Sequence, residues 1–372
     1  MHAQPLENGI QLSFKFLMLF ALMLFGIRLN IIDAFSSFLP VYDDWGMGGL
    51  LQEYESGVLP DGYVFKANNG HIALWRDILQ IFLFDINHSQ WDTRLQMMVN
   101  ALIWAGCATF LAKALRPHFS GVSSVLAVLM VFVLWAFPIS LINATWGVQT
   151  HSYVMVSFTV FAFWLMTSPA FSKAWFAGVF FTAAVPLSMG GGALVAPAIF
   201  SLAVLRVFFD AQERRSHLPT LIISAALSVY SVWLTQYAAD GAFNHYASHT
   251  FGDFLTTALK ALSYPIHKQV WPSLFFVLPL GIVLIQAIRL KAWNDRTVLF
   301  VLSIAAYAVA LAFSIGYARG NNGMNPSDRY FEFLQIYTLA SFLSLLILAK
   351  PKYSIGSKAF KAVAIALSLI HI

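Results

Sequence analysis

Charged residues are scarce in this chain of 372 residues: Asp, Glu, Lys and Arg make up 10% of it, against 59% hydrophobic residues. Soluble domains carry about 25% charged residues, so this composition cannot build an ordinary globular surface. Several apolar runs approach or exceed about 18 residues, the length that a helix needs to cross the hydrocarbon core of a bilayer. The sequence therefore predicts a polytopic membrane protein.

Cysteine is nearly absent, and Cys107 lies inside an apolar segment. A single cysteine excludes an intramolecular disulfide and a cysteine-based metal site. The chain also lacks sequence repeats, a GxxxxGK[ST] phosphate loop, a GxGxxG fingerprint and a GxSxG elbow, which argues against nucleotide-binding domains and hydrolase folds of those types. The net charge of +5 comes from scattered basic residues, which does not indicate nucleic-acid binding.

Eleven apolar segments are predicted to be transmembrane helices, and the first is interpreted as an uncleaved span rather than a signal peptide. Helices are expected because only helices and closed barrels satisfy the backbone in lipid, and the runs are too long for barrel strands. The predicted spans are 14–32, 95–115, 122–142, 152–167, 174–189, 193–209, 219–237, 273–290, 297–316, 331–349 and from 359 onward.

The distribution of Lys and Arg predicts a cytoplasmic N-terminus, because most basic residues then fall in cytoplasmic loops. Residues 71–84 raise an alternative, since a further span there would invert everything after it. Their unbroken apolar part, 78–84, is too short to cross, so the segment is predicted to be an amphipathic helix on the outer interface. Residues 251–264 are predicted to form a second such helix in the third external loop.

Two adjacent carboxylates, Asp43 and Asp44, follow the first span at the predicted outer boundary. Because like charges repel, such a pair requires water, a cation or a chemical role, and a solvated helix exit remains an alternative. The other predicted external loops also carry polar and aromatic candidates. These candidate substrate-binding residues are Trp45, Asn69, His71, Arg76, Trp146, Gln149, Arg319, Arg329 and Tyr330.

A metal site was weighed for the third external loop. His245, His249 and Asp253 follow an i, i+4, i+8 spacing that would place three ligands on one helical face. A helix start predicted at Thr250 argues against one continuous face. Metal ligands are therefore not assigned, and a divalent cation stays open as a cofactor.

Several of these features together resemble the GT-C superfamily of membrane glycosyltransferases, in particular bacterial members that use polyprenyl-phosphate sugars. The resemblance lies in the acidic pair beyond the first span, a long first external loop with interface helices, and roughly a dozen spans. Residues 69–71 with Arg76, 146–149 and 327–330 are similar to motifs of uncharacterised bacterial relatives. A second acidic motif, frequent on the next external loop of the superfamily, is missing from 143–151.

The resemblance implies a single transmembrane domain over residues 1–372 in the bacterial inner membrane. Its expected activity is transfer of a hexose or pentose from a polyprenyl-phosphate donor to a glycan or lipid acceptor of the cell envelope, such as lipopolysaccharide, on the periplasmic face. Asp43 or Asp44 would act as the base, and Arg319 and Arg329 would stabilise the departing phosphate. The donor carries its own leaving group, so no nucleotide-binding domain is required.

Two alternatives remain open, a transporter or flippase of lipid-linked saccharides and a protein similar to an O-antigen polymerase. A transport pathway would be marked by ionisable residues within spans, yet Arg28 is almost alone there. The chain also ends in LSLIHI (367–372), which matches the translation of a common sequencing adapter. We expect that the natural protein continues beyond this point.

Overall fold

The computed structural model describes residues 14–37, 39–41, 43–68, 70–137, 140–238 and 244–353. Helix makes up 78% of the structure, with fourteen α-helices and almost no strand. The prediction of an all-α chain is thereby confirmed. Asn69, the segment from 359 onward and the tail 367–372 lie outside the described residues.

The elements follow one another in this order. The helices are α1 (Phe14–Phe35), α2 (Asp44–Glu55), α3 (Leu74–Ile86), α4 (Thr93–Leu115), α5 (Gly121–Ala136), α6 (Leu141–Ala144), α7 (Thr150–Leu165), α8 (Lys173–Ala184), α9 (Val195–Phe209), α10 (Arg214–Ala238), α11 (Phe251–Leu262), α12 (Ser273–Arg289), α13 (Arg296–Arg319) and α14 (Phe331–Leu348). A two-residue hairpin, β1 (Ala67–Asn68) and β2 (His71–Ile72), precedes α3.

Six helical segments are long and apolar enough to cross a membrane, and they make this a multi-pass membrane protein. They are Phe14–Phe35, Thr93–His118, Gly190–Phe209, Arg214–Ala238, Arg296–Arg319 and Asp328–Leu348. Four more predicted spans fall on α5, α7, α8 and α12, which are shorter. The predicted total of eleven is thus supported for six helices, and the rest stays a prediction.

The chain does not cross the bundle between α1 and α4. Arg94, at the start of α4, donates from Nη2 to the carbonyl of Ser36, just after α1, over 3.3 Å. The end of one helix and the start of the other therefore lie at the same end of the bundle. α3 has 13 residues, about 20 Å of helix, too short for a hydrocarbon core of about 30 Å. Both observations favour an amphipathic helix over a further span in 71–84.

The described residues of the segments predicted to be external meet at one end of the bundle, here called the loop end (36–92, 137–150, 184–194, 244–272 and 319–330). Hydrogen bonds tie them in pairs: Trp146 Nε1 to Val41 O (3.0 Å), Trp75 Nε1 to Ala184 O (2.9 Å), Lys260 Nζ to Gly323 O (2.7 Å) and Asn321 Nδ2 to His245 O (3.0 Å). The opposite end holds 116–120, 165–172, 209–217, 289–296 and 349–353, where Arg296 Nη2 donates to Ser168 Oγ over 3.2 Å. The loops thus form two groups at opposite ends of the bundle, and the orientation of these ends in a membrane stays a prediction.

The second predicted amphipathic helix forms as α11, which begins one residue after Thr250. The Thr250 hydroxyl accepts a hydrogen bond from the Asp253 main-chain N–H (3.1 Å), the usual way to satisfy a free donor at a helix start. α11 lies against α13 at Gly316, where an added Cβ would come within 2.7 Å of the Phe254 carbonyl oxygen. Glycine at 316 thus allows the two backbones to approach closely.

The first loop contains a helix that the sequence analysis did not identify. α2 begins at Asp44 and buries Met47, Leu50 and Leu51, an i, i+3, i+4 pattern that forms one apolar face. Three glycines among its first six residues obscure the helical signal, because glycine is a poor helix former. The acidic pair therefore sits at a helix start and not in an irregular loop.

Candidate functional site

The two carboxylates of the acidic pair have different surroundings. Asp43 is exposed at the N-cap position of α2. Asp44 is only 1% exposed, and its two oxygens accept hydrogen bonds from main-chain N–H groups: Oδ2 from Val41 (3.2 Å) and Oδ1 from Val148 (3.0 Å). Asp44 therefore fastens the first loop to residues 146–148, while Asp43 faces outward.

Burial governs the ionisation of Asp44. It raises the pKa of this carboxyl, an effect opposed by the hydrogen bonds from Val41 and Val148 and reinforced by the neighbouring Asp43 charge. The net result is a pKa raised above the ordinary value of an aspartate. Asp44 thus keeps a proton to a higher pH than an exposed aspartate does.

Trp146 lies between Val41, two residues before Asp43, and an arginine. Its indole Nε1 donates to the Val41 carbonyl (3.0 Å), and the Arg329 guanidinium lies 5.8 Å from its ring centre. The ring is 4% exposed, so its contacts lie within the protein. Trp146 was predicted to bind substrate, but its buried ring has no open face for a sugar. Trp146 instead supports Arg329, which is exposed.

Side chains of α4 hold the segment 146–150, which carries Trp146, in place. Asn100 Nδ2 donates to the Gly147 carbonyl (3.0 Å), and Gln96 Nε2 donates to Thr150 Oγ1 (3.0 Å). A Cβ on Gly147 would lie 3.2 Å from the Thr93 carbonyl oxygen, so glycine permits this close approach. Gln149 is buried, and its Oε1 accepts from Ser152 Oγ over 2.7 Å.

Two histidines and an arginine from separate elements meet beside this segment. The rings of His71 and His151 lie 5.9 Å apart, and His151 is buried at the start of α7. Arg76 donates from Nε and Nη2 to Asp77 Oδ1, each over 2.7 Å, and both side chains are buried. Burial raises the pKa of Asp77, against the lowering effect of Arg76. The Arg76 guanidinium is therefore paired with the adjacent Asp77.

The remaining candidates are distributed more widely. Trp45 is 62% exposed and makes an edge contact with Trp91 at 6.4 Å between ring centres. The half-buried Tyr330 packs near Phe333. The Arg319 guanidinium lies 5.0 Å from the Tyr246 ring centre, in the third loop. The structure thus brings Arg329 to the segment beside the acidic pair and gives Arg319 a different neighbourhood.

A second cluster lies inside the bundle, and sequence reasoning missed it. Arg28 Nη1 lies 3.7 Å from Glu332 Oε1, with exposed side-chain fractions of 2% and 1%. Glu332 also accepts from Asn143 Nδ2 (3.0 Å) and Tyr153 Oη (3.3 Å), and Arg28 lies over the Trp104 ring. Glu332 is buried in the first turn of α14. The only signal in the sequence was Arg28 within an apolar run.

Within the part of the chain that the structure describes, no group of three or more His, Cys, Asp or Glu side chains is arranged to hold a metal ion. His245, His249 and Asp253 do not form one helical face, because α11 begins at Phe251. The described residues therefore offer no ligand set for the divalent cation.

Comparison with known proteins found no matching family model, curated protein or solved structure. The function is inferred from the residues of this chain. At the loop end these residues combine an exposed carboxylate, an arginine on a buried indole, and two histidines. Such a set can accept a proton and stabilise a negative charge.

Proposed function

We propose that this protein is a membrane glycosyltransferase that moves a sugar from a polyprenyl-phosphate donor to a glycan or lipid acceptor. The supporting observation is that the segment 146–148 contacts both charges: the Val148 N–H donates to Asp44, and Arg329 lies over the Trp146 ring. A carboxylate and a cation therefore adjoin one segment. A lipid-linked donor suits a multi-pass protein without nucleotide-binding motifs. By the distribution of Lys and Arg, the loop end faces the periplasm of a bacterial inner membrane.

Asp43 is the base in this proposal, because its carboxylate is exposed. It accepts the proton of an acceptor hydroxyl while that oxygen forms a bond to the anomeric carbon of the donor sugar. The bond from that carbon to the phosphate oxygen breaks, and the electron pair leaves with the polyprenyl phosphate. Arg329 stabilises the charge on the leaving phosphate, since a guanidinium offers paired charge-assisted hydrogen bonds.

Asp44 has a positioning role in this scheme. Its two oxygens already accept main-chain hydrogen bonds from Val41 and Val148. It holds residues 146–148, whose Trp146 carries Arg329 over its ring, against the segment that includes Asp43. Among the candidate aromatic residues, Trp45 is suited to contact a sugar ring because it is exposed.

Transport of lipid-linked saccharides is the second candidate, and the buried Arg28–Glu332 pair favours it. Ionisable residues inside a membrane bundle commonly mark a pathway. Both side chains are almost fully buried, and their opposite charges compensate each other. Such a closed ion pair is better suited to holding helices together than to lining a transport pathway. Sugar transfer therefore remains the preferred function.

The test is transfer of labelled sugar from polyprenyl-phosphate donors by the purified protein in proteoliposomes. We expect Asp43→Asn to lower the rate by about 10²- to 10⁴-fold, the usual contribution of a general base. Arg329→Ala should also be strongly impaired. Arg319→Ala is the matched control and should stay close to wild type, because its side chain lies by Tyr246.

Undiminished transfer by Asp43→Asn would remove Asp43 as the base. If wild-type protein transfers no sugar from any lipid-linked donor yet moves such lipids between leaflets of the same vesicles, the transport function replaces the proposed one.

A further inference from the structure

The position of Arg329 is set by a hydrogen bond made beneath it. Asn143 Nδ2 lies 3.1 Å from the Arg329 carbonyl oxygen and 3.0 Å from Glu332 Oε2, so one amide group donates to both. Asn143 is 1% exposed and belongs to the short helix α6. It therefore joins the 140–149 segment to the start of α14.

This link also sets the distance between Arg329 and Trp146. Trp146 follows Asn143 by three residues, and Arg329 lies over its ring. Arg329 belongs to the 3-10 turn Asp328–Tyr330, in which the Tyr330 N–H donates to the Ser327 carbonyl (2.9 Å). Because Asn143 holds the carbonyl of Arg329, a shift of α6 relative to α14 would separate the guanidinium from the indole.

Glu332 determines where Asn143 points. Its carboxylate is fixed from two other sides, by Tyr153 of α7 at 3.3 Å and by Arg28 of α1 at 3.7 Å. A buried carboxylate is stable only when it is paired and hydrogen-bonded. The amide of Asn143 thus has a rigid, charged acceptor on one side and the Arg329 carbonyl on the other.

We infer that Glu332 is a positioning residue of the site, acting through Asn143 on Arg329 and Trp146. The inference rests on the proposed function for its catalytic consequence. The geometric part stands by itself: removing the Glu332 carboxylate should loosen the 140–150 and 326–331 segments together.

Hydrogen exchange of the protein in nanodiscs tests the geometric part without any substrate. We expect Glu332→Ala and Asn143→Ala to speed amide exchange in both segments by about tenfold, since weakened local structure opens more often. Asp210→Ala is the matched control, because Asp210 is also a buried carboxylate with a side-chain partner, His217 at 3.1 Å, but lies at the opposite end. It should leave both segments unchanged.

A rescue variant separates positioning from general loss of stability. In Arg28→Met/Glu332→Gln both buried charges are removed, while the glutamine amide oxygen can still accept from Asn143. We expect exchange in the two segments to return close to the wild-type rate. Exchange in 140–150 that is unchanged in Glu332→Ala, or equally fast in the rescue variant, would overturn the inference.

The transfer assay tests the catalytic part. Glu332→Ala should lower kcat/KM by about 100-fold, the effect expected of a small displacement in an active site. In an Arg329→Ala background the same change should cost less than about twofold more, because residues that act through one another are not additive. Additive losses would contradict the inference. If wild-type protein shows no transfer at all, the proposed function fails, while hydrogen exchange still decides the positioning role.

Discussion

Two buried carboxylates, Asp44 at the loop end and Glu332 at the start of α14, are satisfied by different kinds of partner. Asp44 lies under the surface and accepts from the main-chain N–H groups of Val41 and Val148. Glu332 lies inside the bundle and depends on side chains of three other helices: Arg28, Asn143 and Tyr153. Asp44 holds loops to each other, whereas Glu332 holds helices to each other.

The difference has a consequence for tolerance to mutation. Main-chain donors are supplied by every residue except proline, so the partners of Asp44 survive most substitutions at positions 41 and 148. The partners of Glu332 are specific side chains, and each can be lost by a single change. Glu332 also faces an opposite charge, because the Arg28 guanidinium lies 3.7 Å from its carboxylate. Asp44 relies on hydrogen bonds alone among its described contacts, and burial consequently raises its pKa.

Among variants that change the surroundings of Asp44 or Glu332, Arg28→Met should produce the largest loss of stability. It leaves the Glu332 carboxylate buried without its cation, a change that costs about 3–5 kcal/mol in buried ion pairs. The free energy of unfolding in mixed detergent micelles measures it. The double variant Arg28→Met/Glu332→Gln should regain most of the loss, and a double variant as unstable as the single one would show that the charge pair is not the cause.

Asp44→Ala should cost less, about 2–3 kcal/mol, because it leaves two buried N–H groups without an acceptor. Asp44→Asn retains one acceptor oxygen and should lose about half of that. Val148→Ala is the control, since it keeps the main-chain donor. The free energy of unfolding, measured under the same conditions, should fall most in Asp44→Ala, less in Asp44→Asn and least in Val148→Ala. Equal losses for Asp44→Ala and Val148→Ala would assign the effect to packing.

The smallest effect concerns pH. The folded pKa of Asp44 lies above that of the unfolded chain, so the folded state binds more protons in the window between the two values. The stability of wild type relative to Asp44→Asn should therefore fall as pH rises through this window, just above the ordinary aspartate pKa of about 4. Thermal unfolding of both proteins from about pH 4 to about pH 7 measures the difference. A difference that grows in the opposite direction would show a lowered pKa.

Several features of this fold could be predicted from local sequence. Apolar length identified the long helices, and the half-buried pattern of 71–84 and 251–264 identified α3 and α11. The acidic pair, Trp146 and Arg329 were singled out by residue type alone, and the structure brings them together. The different exposure of the two aspartates could not be predicted, because it depends on where residues 146–148 pack.

The Arg28–Glu332 cluster shows where such prediction ends. Its members are separated by up to about three hundred residues, and each looks unremarkable in its own segment: an arginine near a helix end, a glutamate after a polar loop. Similarly, α2 was hidden by glycines that weaken its local helical preference. Packing of Met47, Leu50 and Leu51 compensates for that weakness.

Sequence by itself determined that this protein is helical and multi-pass, since long apolar runs in lipid leave the backbone no other way to satisfy its hydrogen bonds. It also determined which residues carry charge at the loop end. Tertiary structure alone decided that Asp43 is exposed while Asp44 is buried and hydrogen-bonded, and that Arg329 rather than Arg319 lies over Trp146. The physical reason is that burial and pairing depend on contacts between distant segments, and these form only when the helices pack.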